Sequence, residues 1–286
     1  MNQTRGQQFL VDLASLSLEL PYEPQRIQAL YQKTGPNSAV SLEEIATMMG
    51  KDQGLTAKVL AMANSAYYGF QQEVTTVSRA VTVLGFNEIR TVVLALSIKA
   101  LTSRKNFPKD FDIQAYWEHQ LMVALISRSL ASHMGIHGGD DLYTAGVLHD
   151  IGKILTAMHH PDDWRSMEGL AQSKDIPYFE AEQEHWGLEH GLIGSMMMAA
   201  WNLPSDLTEP VNWHHSPVHS PHHKSQALVL CVSDAMAHVI AGSQAALICP
   251  WRELLAKFRL DPDEQIEQAK ALLLLHDPGV FAGHLV

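Results

Sequence analysis

The spacing of apolar residues constrains the fold of this chain more than any other feature of its sequence. Along most segments apolar residues recur every three or four positions, as they do in 113–133. That period buries one face of an α-helix, whereas a half-buried strand needs strict alternation. The segment 91–96 is rich in β-branched residues, but its length and flanks favour a buried helix. The sequence therefore predicts an all-α fold.

The helical pattern is interrupted most clearly at 103–112, a charged stretch that contains Pro108. Because charge and proline mark a connection between elements, we predict two helical subdomains, at 1–110 and 111–286. Helices are predicted at 41–49, 55–63, 77–84, 89–101, 113–133, 141–155, 190–201 and 226–241, with another beginning at Asp261.

Composition limits the class of protein. The 286 residues are 46% hydrophobic and 18% charged, as in a globular protein with a sizeable core. A formal net charge of −11 repels phosphate backbones and anionic lipid, so neither a nucleic acid nor a membrane is expected as a partner. Only Cys231 and Cys249 are present, and they form no CxxC pair. The N-terminus lacks signal-peptide character, so a cytoplasmic location is expected.

The chain has 16 histidines, and histidine is the commonest metal ligand. His149 and Asp150 lie in the segment AGVLHDIGK. In a continuous helix, Gly146 and Gly152 would leave space around this pair, and Lys153 would face the same space. On the dipeptide alone, a surface pair at a helix end is an equally good interpretation. With the rest of the pattern, these residues are candidates for a site.

Two further candidates follow from burial. His119 lies on an apolar stripe and is predicted to point inward, either as a ligand or as a core histidine bonded to a carbonyl. Asp234 lies in ALVLCVSDAMAHVIA, which is apolar nearly all round and contains no lysine or arginine. A buried carboxylate is unfavourable by roughly several kcal/mol unless it is paired or coordinated. A metal would satisfy it, and the alternative is a pair with His238 within the same helix.

Three more histidines complete the set. His214 and His215 end a short helix, and adjacent helical side chains point about 100° apart. Two neighbouring ions, or one ion and one substrate, would therefore suit them better than a single ion. His190 begins its own helix, where helix-end capping is the alternative role. Histidine and carboxylate ligands without thiolate favour iron or manganese, with zinc or nickel also suitable.

Other histidines are predicted to lie outside the site. The pairs at 159–160 and 222–223 lie in polar, proline-containing segments, and the His–Asp pair at 276–277 reads as a loop at a helix end. His185 is predicted to support a ligand through hydrogen bonds rather than to bind metal itself.

The order of the candidates resembles the H…HD…D signature of the HD phosphohydrolase superfamily, and the additional histidines resemble the ligands of its two-metal members, such as the HD-GYP phosphodiesterases. The resemblance implies that Lys153 contacts a phosphate or a metal-bound water. It implies one divalent ion held by His119, His149, Asp150 and Asp234, and a second held by His190, His214 and His215, with Asp150 bridging.

The N-terminal half narrows the resemblance to the HDOD family, the HD-related output domain. An HD-like helical core at 111–286, preceded by an N-terminal helical subdomain, is the architecture implied. The glycine-tyrosine-proline motif that follows the paired histidines of HD-GYP enzymes is missing after His215, which argues against cyclic dinucleotide hydrolysis. The matching stretches are KDQGLTAKVLAMANSAYYG at 51–69, VSRAVTVLG at 77–85, AGVLHDIGK at 145–153, WNLP at 201–204 and HHSP at 214–217.

Three functions follow as hypotheses. The first is a signal-transduction or regulatory module that recognises a partner protein or a small phosphate-containing ligand, with metals in a structural role. Tyr67 and Tyr68 could meet such a ligand, although ordinary packing is favoured for them. The second is a metal-dependent phosphohydrolase that acts on a nucleotide or another phosphate ester, with Asp150 and Lys153 as catalytic residues. The third is a di-iron redox protein on the same ligands.

Overall fold

The structure is a computed structural model that describes residues 2–16, 44, 53–65, 67–102, 107–242, 249–283 and 285. Regular structure in these residues is entirely helical, which confirms the all-α prediction. Segment 91–96 lies inside a buried helix, as predicted. The helix predicted at 41–49 lies outside the described residues except for Glu44, as do 103–106 of the predicted subdomain boundary. The division into subdomains stays a prediction.

The helices are numbered here in chain order, and a 3-10 turn at Pro217–His219 lies between the tenth and the eleventh. They are α1 (Asn2–Leu16), α2 (Gln53–Ala63), α3 (Val77–Thr102), α4 (Ile113–His133), α5 (Gly139–Leu148), α6 (Ile151–His159), α7 (Pro161–Lys174), α8 (Tyr178–Trp186), α9 (His190–Ala200), α10 (Ser205–Trp213), α11 (Lys224–Ile240), α12 (Trp251–Lys257), α13 (Pro262–Leu275) and α14 (Pro278–Gly283).

Helix α3 is kinked at Gly85, where φ is 79° and ψ is 168°. This is a conformation that glycine adopts readily and other residues do not. The predicted separation of two helices at 85–87 is therefore confirmed as a kink. Beyond it, α3 packs on α5, where the Thr91 and Thr144 hydroxyls are 2.8 Å apart and Arg90 pairs with Asp141 at 2.8 Å.

The single helix predicted at 141–155 is wrong. The chain leaves helical geometry at Asp150, where φ is −99° and ψ is 12°, so α5 ends at Leu148 and α6 begins at Ile151. The turn between them consists of His149 and Asp150. Helical periodicity continues across such a short turn, which is why the apolar pattern did not reveal it.

The small residues around this turn do not clear open space, as the sequence suggested, but allow close helix packing. A Cβ added to Gly146 would lie 2.5 Å from the Cα of Ala124 in α4. One added to Gly152 would lie 2.1 Å from the carbonyl oxygen of His190 in α9. The turn therefore packs closely between α4 and α9. This close packing brings residues of both helices, which are distant in the sequence, near His149.

The C-terminal helices extend the same core. Helices α13 and α14 pack on α4, and most of the buried apolar side chains of the described residues form one cluster that extends from Phe9 to Leu285. Within the part of the chain that the structure describes, no helix combines the length and apolarity needed to cross a bilayer.

Candidate metal centre

All the predicted ligands meet in one place, although they come from three helices, the α5–α6 turn and the end of α10. Helix α4 supplies His119, the α5–α6 turn supplies a His–Asp pair, α9 supplies His190 and α11 supplies Asp234. We call this cluster the His/Asp centre. It consists of His119, His149, Asp150, His190, His214, His215 and Asp234, together with His238.

One half of the centre surrounds Asp234. Its Oδ1 lies 3.0 Å from Nε2 of His119 and 3.8 Å from Nε2 of His149. Nε2 of His149 also lies 3.4 Å from Oδ2 of Asp150. Histidine and carboxylate atoms are therefore grouped within metal-ligand range, with potential donor atoms no more than 4.8 Å apart in each set.

The other half surrounds His190. Its Nε2 lies 3.1 Å from Nε2 of His215 and 3.4 Å from Nε2 of His214. Oδ1 of Asp150 lies 2.9 Å from the same nitrogen. Asp150 thus directs Oδ2 to the first half and Oδ1 to the second, an arrangement that suits a bridging carboxylate.

The paired histidines do not diverge as the helical spacing suggested. Helix α10 ends at Trp213, and the ring centroids of His214 and His215 are only 3.8 Å apart. Because His215 lies beyond the helix, the helical separation of about 100° does not hold. Both rings consequently face His190.

Hydrogen bonds on the far side of the rings set the tautomers. Nδ1 of His149 lies 2.8 Å from the carbonyl oxygen of Gly146, and Nδ1 of His214 lies 2.6 Å from that of Val211. A carbonyl only accepts, so each Nδ1 donates and the neutral ring directs the lone pair of Nε2 into the centre. This is the state in which imidazole binds a metal.

Several buried polar atoms at the centre make no hydrogen bond to the described residues. Nε2 of His119, Nε2 of His149 and Oδ1 of Asp234 are buried, and none has a partner in hydrogen-bond geometry there. Buried polar atoms are normally satisfied, and leaving one unsatisfied is unfavourable by about 1–3 kcal/mol. A cation between these atoms would satisfy all of them at once, so the residues fit a metal.

The protonation states of the candidate ligands suit metal binding in part. Burial lowers the pKa of His214 to about 3, with His149 and His190 acting in the same direction. Burial opposes ionisation of Asp150, but His149, Lys153 and His190 outweigh it and hold its pKa well below its usual range. Burial also acts against a charged His190, yet Glu182 and Asp150 raise its pKa to about 9. His190 must therefore release a proton before it can bind a metal.

Lys153 stands at the rim of the centre. Its Nζ lies 2.7 Å from Oδ2 of Asp150, and its side chain is 22% exposed. His119 and His238 are 17% and 24% exposed, whereas His149 is fully buried. A ligand entering from solvent would therefore meet the side of Lys153, His119 and His238 first.

Two residues of the centre were missed or undervalued in the sequence. Nε2 of His238 lies 3.4 Å from Oδ1 of Asp234, so the predicted in-helix pair exists, but His238 also joins His119 in a set that could hold a metal. The spacing of four residues between Asp234 and His238, about one helical turn, was the sequence signal for this contact. Glu182 accepts a hydrogen bond from Nδ1 of His190 at 2.6 Å, and nothing in its polar surroundings in the sequence marked it.

The remaining histidines have other contacts. Nε2 of His185 lies 2.9 Å from Asp163 in α7, and it is Glu182 that supports His190. The backbone N–H groups of His222 and His223 donate to Glu209. The loop predicted at 276–277 follows the end of α13, as expected.

The fold and the centre together define an all-helical protein with a histidine and aspartate cluster in its core. The HDOD domain model matches residues 20–217, and the chain belongs to the HDOD family. An uncharacterised protein of Treponema pallidum is 21% identical over 92% of this chain, which spans 51% of that relative's length.

Solved structures share the fold. A protein of Shewanella amazonensis provisionally named a phosphohydrolase is 24% identical, has a TM-score of 0.73, and aligns over 96% of this chain and 98% of its own. A protein of Marinobacter aquaeolei provisionally named a signal-transduction protein is 23% identical with a TM-score of 0.80, over 100% of this chain and 66% of its own. At these identities the likeness extends to the fold alone.

Proposed function

We propose that this chain is a metal-dependent phosphohydrolase whose His/Asp centre holds two divalent ions. The observation that carries the proposal is the convergence of Nε2 of His119 and Nε2 of His149 on Oδ1 of Asp234, three buried atoms that lie close together without a geometrically acceptable hydrogen bond. A cation between these atoms would satisfy all three at once. Divalent ions supply Lewis acidity and charge neutralisation for the attack of water on phosphorus.

The residues divide between the two ions according to their distances. The first ion would be held by His119, His149, Asp150 and Asp234, with His238 as a further donor; the second would be held by His190, His214 and His215, with Asp150 between them. The ligands are imidazole and carboxylate, which favour iron or manganese over magnesium, with zinc or nickel as alternatives.

The chain's own groups have defined tasks in this reaction. Asp150 orients both halves of the centre through its two oxygens. Lys153, partly exposed beside it, offers an ammonium group that can bind a phosphate oxygen and offset its charge. The burial of His149 and His190 keeps water away from the inner side of the centre. The phosphohydrolase name of the Shewanella amazonensis protein agrees with this proposal.

The test begins with metal analysis of the purified full-length chain by mass spectrometry. We expect about two ions per chain, and loss of metal in Asp234→Asn with retention in His137→Ala, an exposed histidine used as the matched control. Turnover of an activated phosphodiester and a panel of nucleotides should follow metal loading. It should fall at least 100-fold in Lys153→Met, which leaves every proposed ligand in place.

The regulatory module remains a second candidate because a specific feature favours it. His149, His190 and His214 are no more than 1% exposed, so much of the centre is closed to a substrate. In that role the ions would hold α4, α9 and α11 together, and the surface would bind a partner protein or a small phosphate-containing ligand. The name of the Marinobacter aquaeolei protein agrees with it. Two tightly bound ions with no turnover of any phosphate ester would favour this candidate.

A further inference from the structure

A second candidate site lies away from the His/Asp centre, in a cavity of about 150 Å³ between the loop after α2, helices α3 and α4, and the end of α13. Its lining includes Tyr68, Phe70, Glu88, Arg128 and His276. Arg128 lies nine residues after His119 on α4, which places it about 13 Å further along the helix axis. The cavity, called here the ring pocket, is thus separate from the proposed metal ligands.

The ring pocket contains a carboxylate with unused capacity. Oε1 of Glu88 accepts hydrogen bonds from the hydroxyls of Tyr68 at 2.7 Å and Tyr143 at 3.0 Å. The other oxygen, Oε2, lies 3.8 Å from Nη1 of Arg128, which is beyond hydrogen-bond distance. The Glu88 side chain is only 12% exposed, and Oε2 accepts no hydrogen bond from the described residues. A ligand with an N–H group could donate a hydrogen bond to Oε2 of Glu88.

Arg128 supplies hydrogen-bond donors to the same pocket. Its guanidinium lies over the ring of Tyr143, 4.5 Å from the centroid, and the side chain is 39% exposed. Among the described residues it donates no hydrogen bond within normal distance, although a guanidinium carries five donors. It can therefore donate to an acceptor atom on a ligand that lies beside Glu88.

The walls of the ring pocket favour a flat ligand. The rings of Tyr68 and Phe70 are nearly parallel, at an interplanar angle of 5° with centroids 6.2 Å apart, and Phe70 is 40% exposed. His276 also lines the pocket, and its ring contacts that of Tyr67. A cavity of about 150 Å³ holds one aromatic ring, as engineered cavities of that size hold benzene.

We propose that the ring pocket binds a planar heteroaromatic ring that carries an N–H donor beside an acceptor, the pattern shared by nucleobases. The donor would bond Oε2 of Glu88, and the acceptor would receive a hydrogen bond from Arg128. Other ligands fit less well: an organic cation meets Arg128, an anion meets Glu88, and an apolar ring leaves both groups unpaired. The net charge of −11 disfavours RNA as the source of the base, so we assign a free nucleoside. This site does not depend on the proposed hydrolase activity.

The experiment is a ligand-observed NMR titration of the full chain with uridine, cytidine, guanosine and adenosine, with indole (a donor only) and pyridine (an acceptor only) as controls. We expect saturable binding of at least one nucleoside and neither control. Arg128→Met should weaken it about tenfold, the value of one charge-assisted hydrogen bond. Phe70→Ala should weaken it by a similar factor through lost stacking, while Arg79→Met and Phe258→Ala, matched changes at exposed positions, should leave it unchanged.

Binding in the metal-centre variant Asp234→Asn should equal that of the original chain. Failure of every nucleoside to saturate would overturn the proposal, as would binding that Arg128→Met and Phe70→Ala leave intact. Equal binding of indole or pyridine would show that stacking alone operates and would refute the donor–acceptor assignment. Binding of a uridine hexanucleotide that is more than about tenfold tighter than binding of uridine would refute the assignment to a free nucleoside.

Discussion

The carboxylate of Glu182 accepts two hydrogen bonds from one residue, His190: Nδ1–H at 2.6 Å and the backbone N–H at 2.9 Å, both to Oε2. Both side chains are 1% exposed. The first bond fixes the ring tautomer, and the second satisfies the first N–H group of α9. Glu182 therefore fixes which nitrogen of His190 faces the second half of the centre, and carboxylates behind a metal-bound imidazole also strengthen it as a ligand.

We expect Glu182→Gln to weaken metal binding without removing a ligand. The neutral amide oxygen accepts these hydrogen bonds more weakly than a carboxylate does, and loss of such a supporting group reduces metal affinity by about 10–100-fold. Competition with a chelator, followed by metal analysis, measures the change. Glu180→Gln, at an exposed position on the same helix, is the matched control. Equal metal retention in both variants would show that Glu182 has no such role.

Gly152→Ala should destabilise the protein and disturb the centre together. The added Cβ would lie 2.1 Å from the carbonyl oxygen of His190, so α6 and α9 must separate. Overpacking of this kind is unfavourable by about 1–3 kcal/mol or more. Gly169→Ala is the contrasting variant, because it lies within α7 with nothing within 4 Å of the new Cβ and should stabilise by about 0.5–1 kcal/mol. Thermal unfolding should show a lower melting temperature for Gly152→Ala and a higher one for Gly169→Ala than for the original chain.

Glu209 should make stability depend on pH in the acid range. Its Oε1 accepts from the hydroxyl of Ser220 at 2.5 Å and from the N–H groups of His222 and His223 at 2.6 and 2.8 Å. Burial opposes ionisation, but these donors lower its pKa to about 2 from the usual 4.5. Because the folded pKa is the lower one, the stabilisation is complete above about pH 4.5 and is lost as the pH falls towards 2.

Urea unfolding of the original chain and of Glu209→Gln measures this contribution. At pH 7 the variant should be less stable by about 1–3 kcal/mol, the usual range for hydrogen bonds to a charged group. The difference should narrow steadily below pH 4.5. A difference that stays constant down to pH 3 would contradict the assignment to the Glu209 carboxylate.

The two cysteines should be unreactive in the folded protein. Cys231 and Cys249 are both buried, at 5% exposure each. A hydrogen bond with Cys249, together with burial, raises the pKa of the Cys231 thiol far above its usual value, so little thiolate forms. Ellman's reagent should label neither thiol within minutes under native conditions, and both after unfolding in guanidinium. Rapid labelling of the native chain would contradict the buried packing.

Much of the secondary structure was predictable because it rests on local physics. The start of α13 at Asp261 was recognised from its cap, and the carboxylate does accept from the N–H groups of Asp263 and Glu264. The kink at Gly85 was marked by a residue that tolerates positive φ. The burial of Asp234 followed from the apolar residues around it in the helix. In each case the neighbours in sequence supplied the cause.

The sequence by itself determined the helical class, the inventory of histidines and aspartates, and the order in which they occur. Only the tertiary structure decided that α5 and α6 break at Asp150, that Glu182 supports His190, and that His215 turns towards the same ring as His214. The reason is that periodicity reports which face of a helix is buried. The distance between residues on different helices depends instead on how closely their backbones approach, and here Gly146 and Gly152 set that approach through contacts with α4 and α9.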